Sequence, residues 1–391
     1  MVRAHQTPFA LNLLFCTTSC KHAATGAGRF AQALLALEKK PDIRIVVVSE
    51  DIDHQPERWR FRVELPDRPT GYAQKSRYYA SMIGQVTAAL PVDVVLFNNA
   101  WLARAWLQQN PAYPPVLAGV RDDNAVHAFD NALGAIPRMI ERKRIEQAAC
   151  RALEFLFTNS LYLADALTTH YRIDRSRISV LPPAYMDYAS LRANPRPLIK
   201  GEPVRVLFGK HDYHRGGLHL VLRALEDLRD FRFALTIAGP EEDVVRRKFD
   251  KDLQALKHVE VDLRGRVYDH QEMIELMETH HVYCVPSRRE AFGVANLEAL
   301  CCGMRVVFHP TGGIPRELGQ FAFPVADWTW QSVREALHRA LRTDHTTIET
   351  MIGQGRTWAA ETYDRDRMLE QLEALVRRVH TLTSKPNART D

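Results

Sequence analysis

Short runs of β-branched and aliphatic residues recur along the chain, each followed by a glycine or polar turn and then by apolar residues at helical spacing. In the first half the runs are Leu11–Cys16, Ile43–Ser49, Val92–Phe97, Val116–Val120 and Phe155–Thr158. In the second half they are Val204–Gly209, Phe233–Ala238, Val259–Leu263, Val282–Val285 and Arg305–Phe308. Runs this short and this apolar predict strands buried on both faces, and strands that alternate with helices predict parallel sheets covered by helices. Between the two series, LPPAYMDYASLRANPRPLIKGEPV carries Pro182, Pro183, Pro195, Pro197 and Pro203, a density that marks a linker. The pattern predicts an α/β protein of two doubly wound, Rossmann-like domains facing each other across a cleft, over about 1–190 and 200–362. Ligands are then expected at the carboxyl ends of the strands. A last amphipathic helix, about Asp366 to Leu382 through Met368, Leu369, Leu372, Leu375 and Val376, is expected to pack back on the first domain.

Composition narrows the class. Of 391 residues 46% are apolar and 25% charged, as in soluble globular proteins, and no apolar run approaches the roughly 20 residues of a spanning helix. The stretch from Phe9 to Phe15 follows Arg3 but is broken by Asn12, and it reads as a first buried strand rather than a leader. Six cysteines, Cys16, Cys20, Cys150, Cys284, Cys301 and Cys302, show neither zinc spacing nor a C-x-x-C pair, so reduced thiols of a cytoplasmic protein are expected. Residues 1–200 carry 25 Lys and Arg against 18 Asp and Glu, whereas the remainder carries 27 against 29. The basic first half suits an anionic partner or an anionic membrane surface as well as a solvated face; no aromatic-interleaved basic motif points to nucleic acid.

The densest chemistry lies in VYCVPSRREAFGVANLEALCCGMRVVFHPTGGIPREL, which reads as strand, loop, helix, strand, loop, helix. Glu290 falls in the loop and Glu298 about one turn inside the helix Val294–Cys302, which Gly303 closes. Gly293 allows close approach of a ligand to the backbone, and the amides after it suit an anion such as a diphosphate. Thr311-Gly312-Gly313, ahead of a helix opened by Pro315, is a second such place. In VRVLFGKHDYHRGGLHLVLRAL, Lys210 follows a strand and Arg215-Gly216-Gly217 opens a long helix through Leu218, Val221, Leu222 and Leu225. These two cations can neutralise charge growing on a departing diphosphate.

With those residues in view, Val204 to Leu318 resembles the family-four retaining glycosyltransferases of GT-B fold, marked by two glutamates with seven residues between them around a Phe-Gly turn. Here the motif reads Glu290-Ala-Phe-Gly-Val-Ala-Asn-Leu-Glu298, flanked by VPSRRE, EALCCGMRVV and TGGIPREL in the family's order, with LTIAGP and LRGRV on the nucleotide side. The resemblance implies transfer of a sugar from a nucleotide-diphosphate donor to an acceptor hydroxyl with retention. Glu298 would hold the ribose hydroxyls and Glu290 would contact the donor sugar, with Phe292, Gly293 and Val294 presenting backbone amides to sugar and diphosphate. Gly265 and Arg266 stand where the family places the nucleobase. The family's cationic pair is an arginine followed by a lysine; this chain has Lys210 and then Arg215, which keeps the charges and exchanges their geometry.

The implied partners are the nucleotide-sugar donor and a glycan, lipid-linked glycan or small-molecule acceptor, with no cofactor and no metal. The setting implied is polysaccharide biosynthesis in the cytoplasm, including the inner face of the membrane. Asp51-Ile-Asp53 has the form of an acidic metal pair but lies in the first domain, and it reads as surface charge. In TGAGRF, Thr25 to Phe30, Gly26 and Gly28 correspond to a glycine-rich loop of the family, and the same residues read equally as an ordinary strand-to-helix turn. After Val116–Val120, where the family often has histidine, stand Arg121, Asp122 and Asp123, with His127 farther on. Arg121, Asp122 and His127 are the acceptor-side candidates. The helix RMIERKRIEQAACRALEFL sets Arg138, Arg142, Lys143, Arg144 and Arg151 beside Ile140, Ile145, Ala148 and Ala152, as either a core-facing stripe with a solvated basic face or a surface for anionic lipid. Two other functions share the fold: a nucleotide-sugar epimerase, which needs several acid/base side chains at the sugar, and a non-catalytic sugar-nucleotide or glycan-binding protein.

Overall fold

The structure, a computed structural model, describes residues 11–21, 26–66, 70–110, 114–131, 133–185, 187–191 and 194–384. The chain forms two compact units, Met1–Tyr185 with Arg365–Asp391, and Met186–Asp364. The first holds strands β1 (Leu11–Thr17), β2 (Ile43–Ser49), β3 (Arg60–Arg62), β4 (Val94–Phe97), β5 (Val116–Val120), β6 (Phe155–Thr158) and β7 (Ile178–Val180), in the order β3-β2-β1-β4-β5-β6-β7. The second holds β8 (Val204–Gly209), β9 (Phe233–Ala238), β10 (Val259–Gly265), β11 (Val282–Val285), β12 (Arg305–Phe308) and β13 (Phe323–Pro324), in the order β10-β9-β8-β11-β12-β13. Every strand pair is parallel.

All ten strands expected from the apolar runs are present; nine lie inside the sheets, and β10 forms one edge of the second. β1 is buried along its whole length, and so are β4, β5, β11 and β12. A strand covered on both faces has no solvent side to alternate with, which is why these segments read as continuous apolar runs. The three strands that the pattern missed, β3, β7 and β13, are edge strands of three, three and two residues, each partly open to solvent. Too few of their positions are buried to leave a pattern.

In each sheet the strand order reverses once, between β1 and β4 and between β8 and β11. At such a point the loops leaving the two central strands diverge, and their carboxyl ends frame a crevice. The helix Arg365–Ser384 belongs to the first unit, where it touches β4, β5 and the helix Gly26–Leu35. Met368, Leu369, Leu372, Val376 and Val379 are buried on it, Lys40 donates to Glu373, and Arg377 donates to Asp42 at 2.6 Å.

Candidate active site

The loops at the carboxyl end of the second sheet gather the charged residues. Lys210 follows β8 immediately, and its ammonium donates to the carboxylate of Glu290 in the loop after β11. Ser287 Oγ donates to the same oxygen at 2.7 Å. Burial acts to raise the Glu290 pKa, but the charges of Lys210 and Arg215 and the bonds from Lys210 and Ser287 outweigh it, so the carboxyl is held below the ordinary glutamate value. Arg215 is set in place by Asp212, which accepts its backbone N–H at 3.0 Å and lies 3.6 Å from its Nε. Arg288 N–H donates to the Arg215 carbonyl at 2.7 Å and ties the β8 loop to the β11 loop.

The helix expected after Arg215-Gly216-Gly217 is present as Leu218–Asp227. A single turn, Tyr213–Gly216, is separated from the helix Leu218–Asp227 by Gly217 at φ 79°. A side chain there would lie 3.0 Å from the Pro286 carbonyl oxygen, so the β11 loop sets the kink.

Gly293 is the N-cap of the helix Val294–Cys301, with φ 80°. Val294 opens the helix half-buried, and the Phe292 ring turns inward onto Tyr363, edge to face at 5.3 Å. Phe292 thus anchors the loop through its side chain and leaves only its backbone to a ligand. Glu298 is 2% exposed, and its carboxylate faces His270 Nε2 at 3.5 Å. His270 opens the helix His270–Thr279 and was not legible as a site residue, because nothing local marks a histidine 28 positions from its partner.

Thr311-Gly312-Gly313 has a different job from the one its composition suggests. The Gly313 N–H donates to the Glu290 carbonyl at 2.8 Å, and a Cβ on Gly312, at φ 62°, would fall 2.1 Å from that oxygen. Thr311 Oγ1 donates to the Arg288 carbonyl at 3.2 Å. The loop is a brace for the Glu290 backbone, so the Gly313 amide is not open to an anion, and a short 3₁₀ turn, Arg316–Gln320, follows it instead of an α-helix.

Gly265 ends β10, and its carbonyl accepts the Gly239 N–H at 2.6 Å. Arg266 Nη2 lies 2.8 Å from His211 Nε2, its Nε is 4.0 Å from Glu241, and its guanidinium sits 5.5 Å from the Tyr268 ring centre. Since His211 adjoins Lys210, the loops after β8, β9 and β10 meet at Arg266 as those after β8 and β11 meet at Glu290. Among the described residues no group of three His, Cys, Asp or Glu side chains is placed to hold a metal ion.

The remaining candidates belong to the first unit. Thr25 falls outside the described residues; Gly26 opens its helix exposed, with nothing within 4 Å of where a Cβ would stand, and Gly28 is buried. Arg121, after β5, is 8% exposed with its guanidinium 4.0 Å from the Phe30 ring centre. Asp122 accepts from Arg142 at 2.7 Å, and Arg142 also donates to Glu146, 3.2 Å away, which accepts the Tyr171 hydroxyl at 2.9 Å. His127 Nε2 is 3.1 Å from the Tyr162 hydroxyl, which donates to Asp123 at 3.2 Å.

Two readings of the first unit need correction. The helix Ile136–Ala152 turns Arg142, Glu146, Ala149 and Cys150 inward, while Ile140, Ile145 and Ala148 are half-buried and Ala152 is exposed. Arg142 and Glu146 face the core because they neutralise each other there, and their i, i+4 spacing was the signal that could have shown it, while Arg138, Arg144 and Arg151 are exposed as the solvated-face reading expects. Asp51 is not surface charge: it accepts from Cys20 N–H at 2.7 Å, Ser49 Oγ at 2.8 Å, Ser19 Oγ at 2.9 Å and Lys21 N–H at 3.2 Å, clamping the loop after β1. Asp53 is exposed. All six cysteines are buried free thiols, and no described helix is long and apolar enough to cross a membrane.

Two parallel doubly wound sheets with these loops define a GT-B glycosyltransferase fold. The fold is shared with sucrose-phosphate synthase of Thermosynechococcus elongatus, at a TM-score of 0.78 and 17% identity over 95% of this chain and all of that one. Anabaena HepE, solved in complex with UDP, superposes at a TM-score of 0.68 and 15% identity over 94% of this chain and all of that one. Residues 192–358 match the family described as glycosyl transferases group 1. A D-inositol 3-phosphate glycosyltransferase of Paenarthrobacter aurescens is 27% identical over 200 residues, 47% of this chain and 48% of that protein. The chain spans about half the length of the curated relatives it matches.

Proposed function

We propose that the protein is a retaining, metal-independent glycosyltransferase that moves a sugar from a nucleotide-diphosphate donor to an acceptor hydroxyl. The observation that carries this is the convergence of Lys210, Arg215 and Glu290 at the reversal point of the second sheet, next to the helix N-terminus at Gly293. The diphosphate lies against the two cations and the first-turn amides, where the charge that grows on it as the glycosidic bond breaks is neutralised. Glu290, kept ionised, contacts the donor sugar; Glu298, oriented by His270, takes the ribose hydroxyls; Gly265 and Arg266 border the base. The group 1 match over these residues supports the reading, and so does the UDP that HepE carries. Gly26 and Gly28 of the first unit are assigned to donor binding, and Arg121, Asp122 and His127 to the acceptor side, with Asp122 acting through Arg142.

The test is incubation with UDP-, GDP- and ADP-sugars with and without candidate acceptors, following free nucleotide diphosphate and the anomeric configuration of the product. Acceptor-dependent release with retention is expected. Loss of one charge-assisted bond to the ribose in Glu298→Ala should weaken nucleotide binding roughly tenfold to a hundredfold. No binding of any nucleotide by the parent, or an unaltered affinity in Glu298→Ala, refutes the assignment.

A further inference from the structure

Arg121 differs from Arg142 and Arg305, two other buried arginines, in that two atoms on one edge of its guanidinium lack a partner where each of those lacks one only at Nε. Arg142 is held by Asp122 and Glu146, and Arg305 donates to the Arg196 carbonyl at 3.1 Å. Arg121 is 8% exposed, and its Nε and Nη2 have no hydrogen-bond partner among the described residues. Asp122, its neighbour in sequence, is turned to Arg142 and to the backbone N–H of Asn124.

What surrounds the guanidinium is aromatic. The ring centres of Phe30, Tyr185 and Phe157 lie 4.0, 5.3 and 5.8 Å from its central carbon. Ring faces attract a cation but accept no conventional hydrogen bond, so they hold the charge in place without meeting its donors. Burial pulls the pKa down to about 9, with Asp122 acting the other way, so the group is still a cation at neutral pH. A buried charge with unmet donors is costly, and a structure retains one where a ligand supplies the acceptor. Nε and Nη2 form one edge of the guanidinium, and its two parallel N–H bonds match two oxygens of a carboxylate or phosphate. The position is also right for a ligand, since Arg121 leaves the carboxyl end of β5, next to β4 at the reversal point of the first sheet.

We propose that Arg121 receives an anionic group, a carboxylate or a phosphate, carried by the sugar acceptor. This rests on the transferase reading above and adds to it the chemical class of the second substrate. Neutral acceptors would leave the fork unfilled.

The test is calorimetric titration of the full chain, at fixed ionic strength, with glucuronate, glucose 6-phosphate and glucose, alongside UDP, GDP and ADP. At least one anionic sugar is expected to bind ten times or more tighter than glucose, and whichever of the two does so identifies the anion. Arg121→Met should abolish that preference while leaving nucleotide affinity unchanged, and Arg121→Lys, which keeps the charge without the fork, should lose most of it. If Arg121→Met does not fold, Arg121→Lys decides. Equal affinity for all three sugars, or a preference that survives substitution, overturns the proposal. Anionic-sugar binding through Arg121 in a chain that binds no nucleotide diphosphate would leave the anion site standing and overturn the transferase reading instead.

Discussion

Lys210 donates to Glu290 across 80 positions of sequence and joins the loops that leave β8 and β11. The two side chains are 18% and 15% exposed, so each meets the other in place of most of its water. Lys210→Met therefore strands a half-enclosed carboxylate, and we expect a loss of about 3 kcal/mol in urea unfolding. The double variant Lys210→Met/Glu290→Leu, which leaves no charge behind, should regain most of that. A single variant as stable as the parent would show that the pair contributes nothing to folding.

Gly312→Ala places a methyl group 2.1 Å from the Glu290 carbonyl oxygen and forces an L side chain to φ 62°. The backbone conformation alone costs about 1 kcal/mol or more. The clash displaces the brace on Glu290, so the turnover expected under the proposed function should fall by more than the melting temperature suggests. Turnover per folded molecule measures this, and an unchanged value would show that the brace does not position Glu290.

Asp51 accepts four hydrogen bonds from the segments after β1 and β2. Burial alone would raise its pKa, but the bonds from Cys20, Ser49, Ser19 and Lys21 prevail and hold it below the usual aspartate value. A depressed carboxyl pKa contributes stability that is present above about pH 4 and is lost as the pH falls through the folded value. Asp51→Ala should cost about 2–3 kcal/mol at neutral pH. Its acid unfolding curve should be flatter than the parent's below pH 4, and an equally steep one would rule this out.

At the amino ends of the central strands β8 and β11, His281 Nδ1 accepts the Arg205 N–H at 2.9 Å. Burial, then the charges of Arg305, Arg205 and Arg196, push its pKa down to about 4. Between pH 6.5 and 4 the unfolded chain binds a proton that the folded chain refuses, so stability falls across that window and levels off below it. His281 is only partly buried, so solvent screening keeps the effect well below what about 1.4 kcal/mol per tenfold change in proton affinity would give for the whole shift. His281→Asn keeps an acceptor for Arg205 without the titration, and denaturant melts over this range should show a shallower slope.

Much of this protein can be read along the chain. The nine inner strands announce themselves because burial on both faces favours apolar residues, whereas β10 at the edge shows as alternation of apolar and polar residues. The separation of Glu290 from Glu298 likewise puts one in a loop and the other inside a helix before any partner is known. Edge strands of two or three residues such as Arg60–Arg62 escape the same reading, because they are too short and too open to water to leave a pattern.

Partner choice belongs to the tertiary structure. Lys210 meets Glu290, Asp51 gathers Ser19 to Lys21, Glu298 faces His270 and Gly313 braces the Glu290 backbone only because the strand order brings those loops together. Charge signs in a sequence do not say which charges are spent on one another, as the inward pairing of Arg142 with Glu146 and Asp122 shows. Local patterning determined where strands and helices form, since burial acts residue by residue. Which polar groups are satisfied and which, like the Arg121 fork, are left for a ligand depends on contacts between distant segments, and the folded sheets alone decided it.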